Sequence, residues 1–416
     1  MKALTGDPEL IDFEHALTSL LASAHRLDRE PAAVPLREAA GRVLASAVRL
    51  DRTEPPAARS AMDGYAIRSA DGALPRRVVA TVFAGSAARV GIGPGETAAV
   101  MTGGTVPEGA DAVVPIEQTR REAADRGGGD DGEARIAIIA PVAPGQHIRP
   151  AGEMGAAGML AIAAGTRLGA GELAVAAACG ADPVEVAAKP WVSVLSTGDE
   201  VVPWTARPAA HQVRDSNRLA ALAQLERMGA AVVETAIVPD VRAQLLTAVE
   251  SALDRSDLLV TIGGVSMGER DHLPGVFAEL RVRCLFHGVA MQPGKPVWAG
   301  RRDDRWVLAL PGNPVSAFVC LELFGGPLVA RLSGVSAAAE RPAVRVGIAG
   351  GPARAKGRPC FLPAGLRVDA EGQTVVVPRA GTGSGDWLTL SGAHALMLLP
   401  AHSSVAEGER VRYVAW

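Results

Sequence analysis

Residues 257–271 read DLLVTIGGVSMGERD. The first part of this stretch, DLLVTI, is an apolar run of strand length and predicts a buried β-strand. The second part places three glycines ahead of the charged residues Glu269, Arg270 and Asp271. A plain turn needs one or two glycines, so this loop is interpreted as one that lets a ligand approach its backbone.

The surrounding residues, 190–335, alternate between strand and helix patterns. WVSVLS, VVETAIV and RWVLAL resemble strands, as does VRCLF, and helical patterns lie between them. Asp215 and Asp240 each precede a helical pattern and are predicted to cap it. Strands that alternate with helices predict a parallel, doubly wound α/β layer.

The flanking regions have a different texture. A helix pattern from Phe13 to Leu27 opens residues 1–190, and strands punctuated by Gly and Pro follow it. RGGGDDGE at 126–133 is typical of a hairpin loop. Residues 340–416 carry short β runs, which predict a small separate β domain.

Composition excludes several classes of protein. A chain of 416 residues predicts about three domains. The net charge of −3 gives no electrostatic signal for nucleic acid. We find no apolar run of the ~18–20 residues that would span a membrane, and the polar amino terminus lacks the core of a signal peptide. The four separated cysteines favour reduced thiols, and together these features predict a cytoplasmic protein.

Unusual loops follow the other predicted strands of the middle region: STGDE (196–200), QPGKP (292–296) and LPGNPVS (310–316). Each alone is explained as an ordinary turn, and Glu200 or Asp271 alone as a solvated charge. Ligands of parallel sheets bind beyond the carboxyl ends of the strands, so together the loops predict a ligand site. Glycine amides cradle anions, and carboxylates beside an anion need a cation such as Mg²⁺.

The chain also carries a set of motifs in a fixed order. They are SAMDGYAI (60–67), MTGGTVPEGADAVVP (101–115), STGDE, DSNR (215–218), GGVSMGERD, PGKP and LPGNPVS. Together they closely resemble the molybdopterin molybdotransferases, the MoeA and gephyrin E-domain family, from about residue 10 to the carboxyl terminus.

The resemblance implies a multidomain α/β fold, with a doubly wound molybdopterin-binding domain and mainly-β amino-terminal and carboxyl-terminal domains. Domain I would be discontinuous over 1–50 and 147–189, with an inserted β domain II over 51–146. Domain III, the α/β domain, would cover 190–335, and β domain IV would cover 340–416. The resemblance further implies an elongated homodimer whose two active sites are each shared between subunits.

The implied reaction belongs to molybdenum cofactor biosynthesis. Adenylylated molybdopterin is cleaved to release AMP, and molybdate is inserted into its dithiolene with the help of Mg²⁺. The implied partners are these two substrates and a second copy of the chain. Molybdopterin adenylyltransferase and molybdoenzyme-maturation proteins are further candidate partners, whereas nucleic acid and membrane are not expected.

The resemblance also implies site residues, which fall into four groups. The catalytic residues are Asp63, Thr102, Glu200, Asp240 and Asp271. The residues that bind the pterin substrate are Asp215, Asn217, Gly263, Gly264, Ser266, Pro311 and Pro314. Those that bind molybdate are Lys295, Ser316, Arg358 and Ser384. The metal ligands are Asp63, Glu200 and Asp271.

The chain departs from the family pattern at two positions that many members fill with lysine, Gly288 and Gln292. The loss of two positive charges should weaken the attraction of an oxyanion and leave Lys295 and Arg358 to compensate. It motivates one alternative, a non-catalytic pterin-binding paralogue or scaffold. A second alternative is a related adenylyltransferase-type enzyme, against which SAMDGYAI and MTGGTVP argue because the smaller relatives lack this amino-terminal half.

Overall fold

The computed structural model describes most of the chain, in six stretches. They are residues 10–86, 90–122, 134–265, 271–336, 343–379 and 381–416. The hairpin loop predicted at 126–133 lies outside them. The chain divides into two compact units. The first unit is Met1–Ser46, Ala164–Ala170 and Pro183–Trp416, and the second is Ala47–Ala163 and Gly171–Asp182. The boundaries of the four domains stay a prediction.

The helices and strands are numbered in chain order. The helices are α1 Phe13–Ser23, α2 Ala170–Ala178, α3 Ser216–Met228, α4 Arg242–Arg255, α5 Leu273–Glu279, α6 Pro314–Cys320 and α7 Gly326–Leu332. The strands are β1 Ala32–Val34, β2 Val48–Arg49, β3 Arg59–Ser60, β4 Gly64–Ile67, β5 Arg76–Val82, β6 Glu96–Val100, β7 Ala112–Pro115, β8 Thr119–Glu122, β9 Arg135–Ile138, β10 Ile148–Arg149, β11 Leu160–Ile162, β12 Val184–Val186, β13 Trp191–Thr197, β14 Val201–Val202, β15 Val213–Arg214, β16 Ala231–Val238, β17 Leu258–Ile262, β18 Arg283–His287, β19 Trp298–Arg302, β20 Arg305–Leu310, β21 Val344–Ala349, β22 Ala353–Arg354, β23 Cys360–Val368, β24 Thr374–Pro378, β25 Ala395–Leu399, β26 Ser404–Val405 and β27 Arg410–Ala415.

The first unit is built on a six-stranded sheet in the order β16-β13-β17-β20-β19-β18. The strands β16, β13, β17 and β20 are parallel. All residues of β17 are buried, because helices cover both faces of the sheet. One core contains residues of α1, α3, α6 and α7, and the other contains residues of α4 and α5. The predicted doubly wound layer is confirmed.

The strand directions at the β18 end of this sheet differ from the predicted parallel arrangement. The strand β19 runs antiparallel to both of its neighbours, β18 and β20. The sequence pattern did not predict β19, because it begins directly after the Pro- and Gly-rich QPGKP loop and ends in two arginines. The sheet is therefore mixed, and QPGKP joins two antiparallel strands at the carboxyl edge of the sheet.

The predicted N-cap residue is correct for α3 but not for α4. Asp215 caps α3, because its carboxylate accepts a hydrogen bond from the backbone N–H of Arg218. Val241 occupies the N-cap position of α4, so the prediction that Asp240 caps this helix was wrong. The amino-terminal helix ends at Ser23 rather than at Leu27.

One apolar helical run has the length of a membrane-spanning helix. A π-helical turn, Leu321–Gly325, joins α6 to α7. By length and composition alone, the resulting run Pro314–Leu332 is long and apolar enough to cross a membrane. The expectation that the chain contains no apolar run of this length was therefore wrong. Of its most apolar window, 83% is buried inside the protein, as in a core helix.

The carboxyl-terminal part of the first unit is a closed barrel in the order β21-β24-β23-β25-β27. Four of its strands follow the predicted β runs. The sequence did not predict β23, because Pro363 and Gly365 in its interior resemble strand breakers. The barrel confirms that the carboxyl-terminal region is mainly β.

The second unit contains a six-stranded sheet in the order β7-β4-β6-β5-β9-β8. The strands β8 and β9, which flank the stretch 123–133, pair antiparallel. Two short antiparallel pairs, β3 with β10 and β2 with β11, complete the pairing of this unit's strands. This unit is mainly β, as predicted.

Candidate active site

A cavity of about 900 Å³ lies at the carboxyl edge of the six-stranded sheet of the first unit. We call it the large cavity. The loops after β13, β17 and β20 form its wall together with the amino-terminal end of α3. The predicted site residues that line it are Glu200, Asp215, Asn217, Asp240, Gly263, Gly264, Asp271, Pro311 and Pro314.

The glycines after β17 are required by the backbone. Gly263 and Gly264 have φ angles of +95° and +66°, a region that side chains with a Cβ rarely adopt. A Cβ on Gly263 would also lie 2.7 Å from the carbonyl oxygen of Thr197. The loop therefore approaches β13 closely and leaves its own backbone facing the large cavity.

Thr197, at the end of β13, was not among the predicted site residues. Its side chain lines the large cavity and is buried, and its Oγ1 has no hydrogen-bond partner among the described residues. A buried hydroxyl without a partner costs free energy unless a ligand satisfies it. The STGDE motif contained this residue, but no local pattern distinguished it from its neighbours.

Asp215 and Asn217 fix the wall formed by α3. Asp215 Oδ1 accepts a hydrogen bond from Ser196 Oγ at 2.8 Å, and Asp215 Oδ2 lies 2.7 Å from Arg218 Nε. Asn217 Nδ2 donates to the carbonyl oxygen of Gly312 at 2.7 Å. Asp215 thus ties the start of α3 to β13, and Asn217 ties it to the LPGNPVS loop, so both residues shape the cavity.

The acidic residues of the large cavity repel one another. Burial raises the pKa of the Asp240 carboxyl, and the negative charges of Asp199 and Glu200 raise this pKa further. The described residues contain no group of three or more His, Cys, Asp or Glu that could hold a metal ion. Mg²⁺ typically takes only one or two carboxylates and keeps waters and phosphate oxygens as its other ligands, so the acids of this cavity fit it.

A second cavity of about 400 Å³ lies beside the first, and we call it the basic cavity. It is lined by the predicted molybdate residues Lys295, Ser316, Arg358 and Ser384. None of the described residues that line it is Asp or Glu. Pro296, Pro311 and Asn313 line both cavities and form a shared wall.

The barrel contributes one side of the basic cavity through the loop after β24. Asn313 Nδ2 donates to Ser384 Oγ at 3.1 Å, and the backbone N–H of Val315 donates to the Ser384 carbonyl at 3.1 Å. Ser316 is buried in the first turn of α6. These bonds bring Ser384 to the LPGNPVS loop across a long separation in sequence.

Asp63 and Thr102 lie in the second unit, apart in sequence but in contact. Asp63 Oδ1 accepts hydrogen bonds from Thr102 N at 2.6 Å and from Thr102 Oγ1 at 2.8 Å. The backbone hydrogen bond and then the hydroxyl lower the pKa of Asp63. The structure thus joins the SAMDGYAI and MTGG motifs. Ser266, the remaining predicted site residue, lies outside the described residues.

Two residues of the cavities had no signal in the sequence. Arg379 follows β24 and lines the basic cavity. Trp387 is 60% exposed and lines the large cavity. Both belong to the carboxyl-terminal barrel, whose contacts with the α/β sheet could not be read from local patterns.

Fold and site define a class of multidomain α/β proteins that bind a ligand at the carboxyl edge of a doubly wound sheet. Three family patterns cover most of the chain. The MoeA N-terminal region (domain I and II) matches residues 11–180, the probable molybdopterin binding domain matches 193–331, and the MoeA C-terminal region (domain IV) matches 349–416. The chain belongs to the MoeA family.

Individual relatives agree with this assignment. The chain is 35% identical to the molybdopterin molybdenumtransferase of Synechococcus elongatus, over 77% of this chain and 80% of the relative. It is 36% identical to molybdopterin molybdenumtransferase 2 of Mycobacterium tuberculosis, over 71% of this chain and 74% of the relative. It is similar to the crystal structure of a molybdopterin biosynthesis MoeA protein from Pyrococcus horikoshii, with a TM-score of 0.76, 29% identity, and coverage of 98% of this chain and 99% of the other.

Proposed function

We propose that this protein is a molybdopterin molybdenumtransferase of molybdenum cofactor biosynthesis. It cleaves adenylylated molybdopterin, releases AMP and inserts molybdate into the dithiolene. The observation that carries the proposal is the pair of adjoining cavities. The large cavity has acidic residues and glycine loops, and the basic cavity beside it has cations and no carboxylate among its described lining residues.

The two cavities suit the two substrates. The backbone of Gly263 and Gly264 and the Thr197 hydroxyl offer donors to the pterin and phosphate groups. Lys295 and Arg358 offer positive charge to molybdate in the basic cavity, where Ser316 and Ser384 add hydroxyls. The shared wall of Pro296, Pro311 and Asn313 keeps the two ligands in neighbouring positions.

Mg²⁺ is part of the proposal. Glu200 and Asp271 would hold it in the large cavity, where burial and then the negative charges of Asp199 and Glu200 raise the pKa of Asp240. The ion would neutralise the phosphate oxygens of the substrate. Asp63 remains a proposed ligand as well, and Asp63 and Thr102 are proposed functional residues.

The remaining proposals rest on family membership. The protein is proposed to form a homodimer, to act in the cytoplasm, and to work with molybdopterin adenylyltransferase and molybdoenzyme-maturation proteins. Sedimentation equilibrium tests the dimer, since a monomer mass at micromolar concentration would refute it. The adenylyltransferase alternative is not favoured, because the matches to the MoeA amino-terminal and carboxyl-terminal regions lie outside the shared α/β domain.

The experiment that tests the function is a turnover assay. Purified protein is incubated with adenylylated molybdopterin, molybdate and Mg²⁺, and two products are measured: free AMP, and cofactor that activates a molybdenum-free apoenzyme. We expect both products, with each dependent on the protein. Binding of the pterin nucleotide without AMP release would instead support the non-catalytic paralogue.

A further inference from the structure

The charge of the basic cavity comes from three side chains. Lys295, Arg358 and Arg379 all line it, and none of the described residues that line it is Asp or Glu. Gln292, at the same cavity, is neutral. Three cationic residues around a space of about 400 Å³ would attract an anion that enters it.

Arg358 gives an independent sign that an anion belongs here. Its Nη1 is buried and has no hydrogen-bond partner among the described residues. A buried donor of a charged group without a partner costs free energy, because it has lost its hydrogen bonds to water. An oxyanion in the basic cavity would supply the missing acceptor.

Arg379 is held in place by the barrel. Its backbone N–H donates to the Pro363 carbonyl at 2.9 Å, and its Nη2 donates to the Gly392 carbonyl at 2.9 Å. Gly392 has a φ of +67°, and a Cβ there would lie 2.1 Å from Nη2, so glycine at this position lets the guanidinium lie close to the Gly392 backbone. One fixed bond leaves the other N–H groups of the guanidinium for a ligand.

We propose that Arg379 binds the molybdate substrate, as the third cation of the basic cavity beside Lys295 and Arg358. The inference rests on the proposed function and adds a residue to it. An arginine presents a planar fork of donors that matches two oxygens of an oxyanion, which a lysine cannot do. Arg379 therefore contributes both charge and orientation to the bound anion.

The test measures the binding of molybdate alone by isothermal titration calorimetry, on the full chain. Arg379→Gln should raise the dissociation constant of molybdate roughly tenfold or more. Arg379→Lys should recover part of the affinity, because it keeps the charge but not the fork. The matched control is Arg367→Gln, an exposed arginine on the same barrel that does not line the cavity.

Turnover separates a binding role from a merely structural one. With Arg379→Gln we expect a higher KM for molybdate, an unchanged KM for adenylylated molybdopterin, and recovery of kcat at saturating molybdate. If Lys295→Gln loses molybdate binding while Arg379→Gln binds like wild type, the inference is overturned and the proposed function stands. If the wild type binds no molybdate and releases no AMP, both are overturned.

Discussion

Two acids of the proposed catalytic set have opposite electrostatic environments. The pKa of Asp63 is lowered by the hydrogen bonds from Thr102, whereas burial and neighbouring carboxylates raise the pKa of Asp240. Asp63 therefore stays ionised to lower pH than an ordinary aspartate. Asp240 takes up a proton more readily than an ordinary aspartate.

Replacement of Thr102 by valine tests the environment of Asp63. The variant loses the hydroxyl donor but keeps the backbone donor, which is the larger of the two influences. The pKa of Asp63 should rise and still remain below its ordinary value, as measured by an NMR titration of the carboxyl carbon. Thr119→Val, which removes a hydroxyl elsewhere in the second unit, is the control. An unchanged pKa in Thr102→Val would contradict the assignment.

Replacement of Asp240 by asparagine tests the repulsion in the large cavity. A carboxyl whose pKa is raised by folding contributes stability that is present below its unfolded pKa of about 3.9 and is lost as pH rises through the folded pKa. Asp240→Asn should therefore be more stable than wild type at neutral pH, and the difference should vanish at acidic pH. Urea unfolding from pH 3.5 to 7.5 measures both. Glu250→Gln, an exposed acid on α4, should show no such trend.

At the scale of elements, position along the sheet decides which residues reach the site. The loops after β13, β17 and β20 meet at one edge because these strands are parallel. Apolar runs bounded by turn residues were enough to predict these strands and the ligand site beyond them. They were not enough for β19, which follows the QPGKP loop and ends in two arginines, or for β23, whose interior contains Pro363 and Gly365. Both strands depend on pairing with their neighbours.

Gly263→Ala tests the loop after β17. The positive φ and the short distance to the Thr197 carbonyl should make the variant less stable by about 1–3 kcal/mol and should weaken binding of the pterin nucleotide. Urea unfolding and a binding titration measure these effects. Gly275→Ala is a matched control, since that glycine lies inside α5 and a Cβ added there would meet no atom within 4 Å, so alanine should stabilise by about 0.5–1 kcal/mol. Equal stabilities of the two variants would refute the argument.

At the scale of the whole molecule, the first unit brings distant segments to one place. The α/β sheet supplies most of the large cavity, and the barrel region supplies Trp387 to it and Arg358, Arg379 and Ser384 to the basic cavity. The family resemblance implied Arg358 and Ser384, but only the folded barrel brings Arg379 to the basic cavity. The sequence around Arg379 has no pattern that distinguishes it from other arginines, because its position in the cavity depends on loops from distant parts of the chain.

Asp271→Asn tests whether Asp271 is a ligand of Mg²⁺ in the large cavity. The concentration of Mg²⁺ needed for half-maximal AMP release should increase strongly, because one carboxylate ligand is lost. The thermal midpoint should change little, since a carboxylate that faces a cavity contributes little to the core. Asp304→Asn, in the exposed turn between β19 and β20 at the opposite edge of the sheet, should leave the Mg²⁺ requirement as in wild type. The same Mg²⁺ requirement in both variants would mean that Asp271 is a solvated charge.

The wall formed by Pro296, Pro311 and Asn313 would stand between the two proposed ligands, so it could make their binding thermodynamically dependent. Any occupant that shifts this wall changes the free energy of binding on its other side. Such coupling is reciprocal: the factor by which the pterin nucleotide alters the affinity for molybdate equals the factor by which molybdate alters the affinity for the nucleotide. A factor above one would make the doubly loaded protein accumulate at substrate concentrations that leave either singly loaded form scarce.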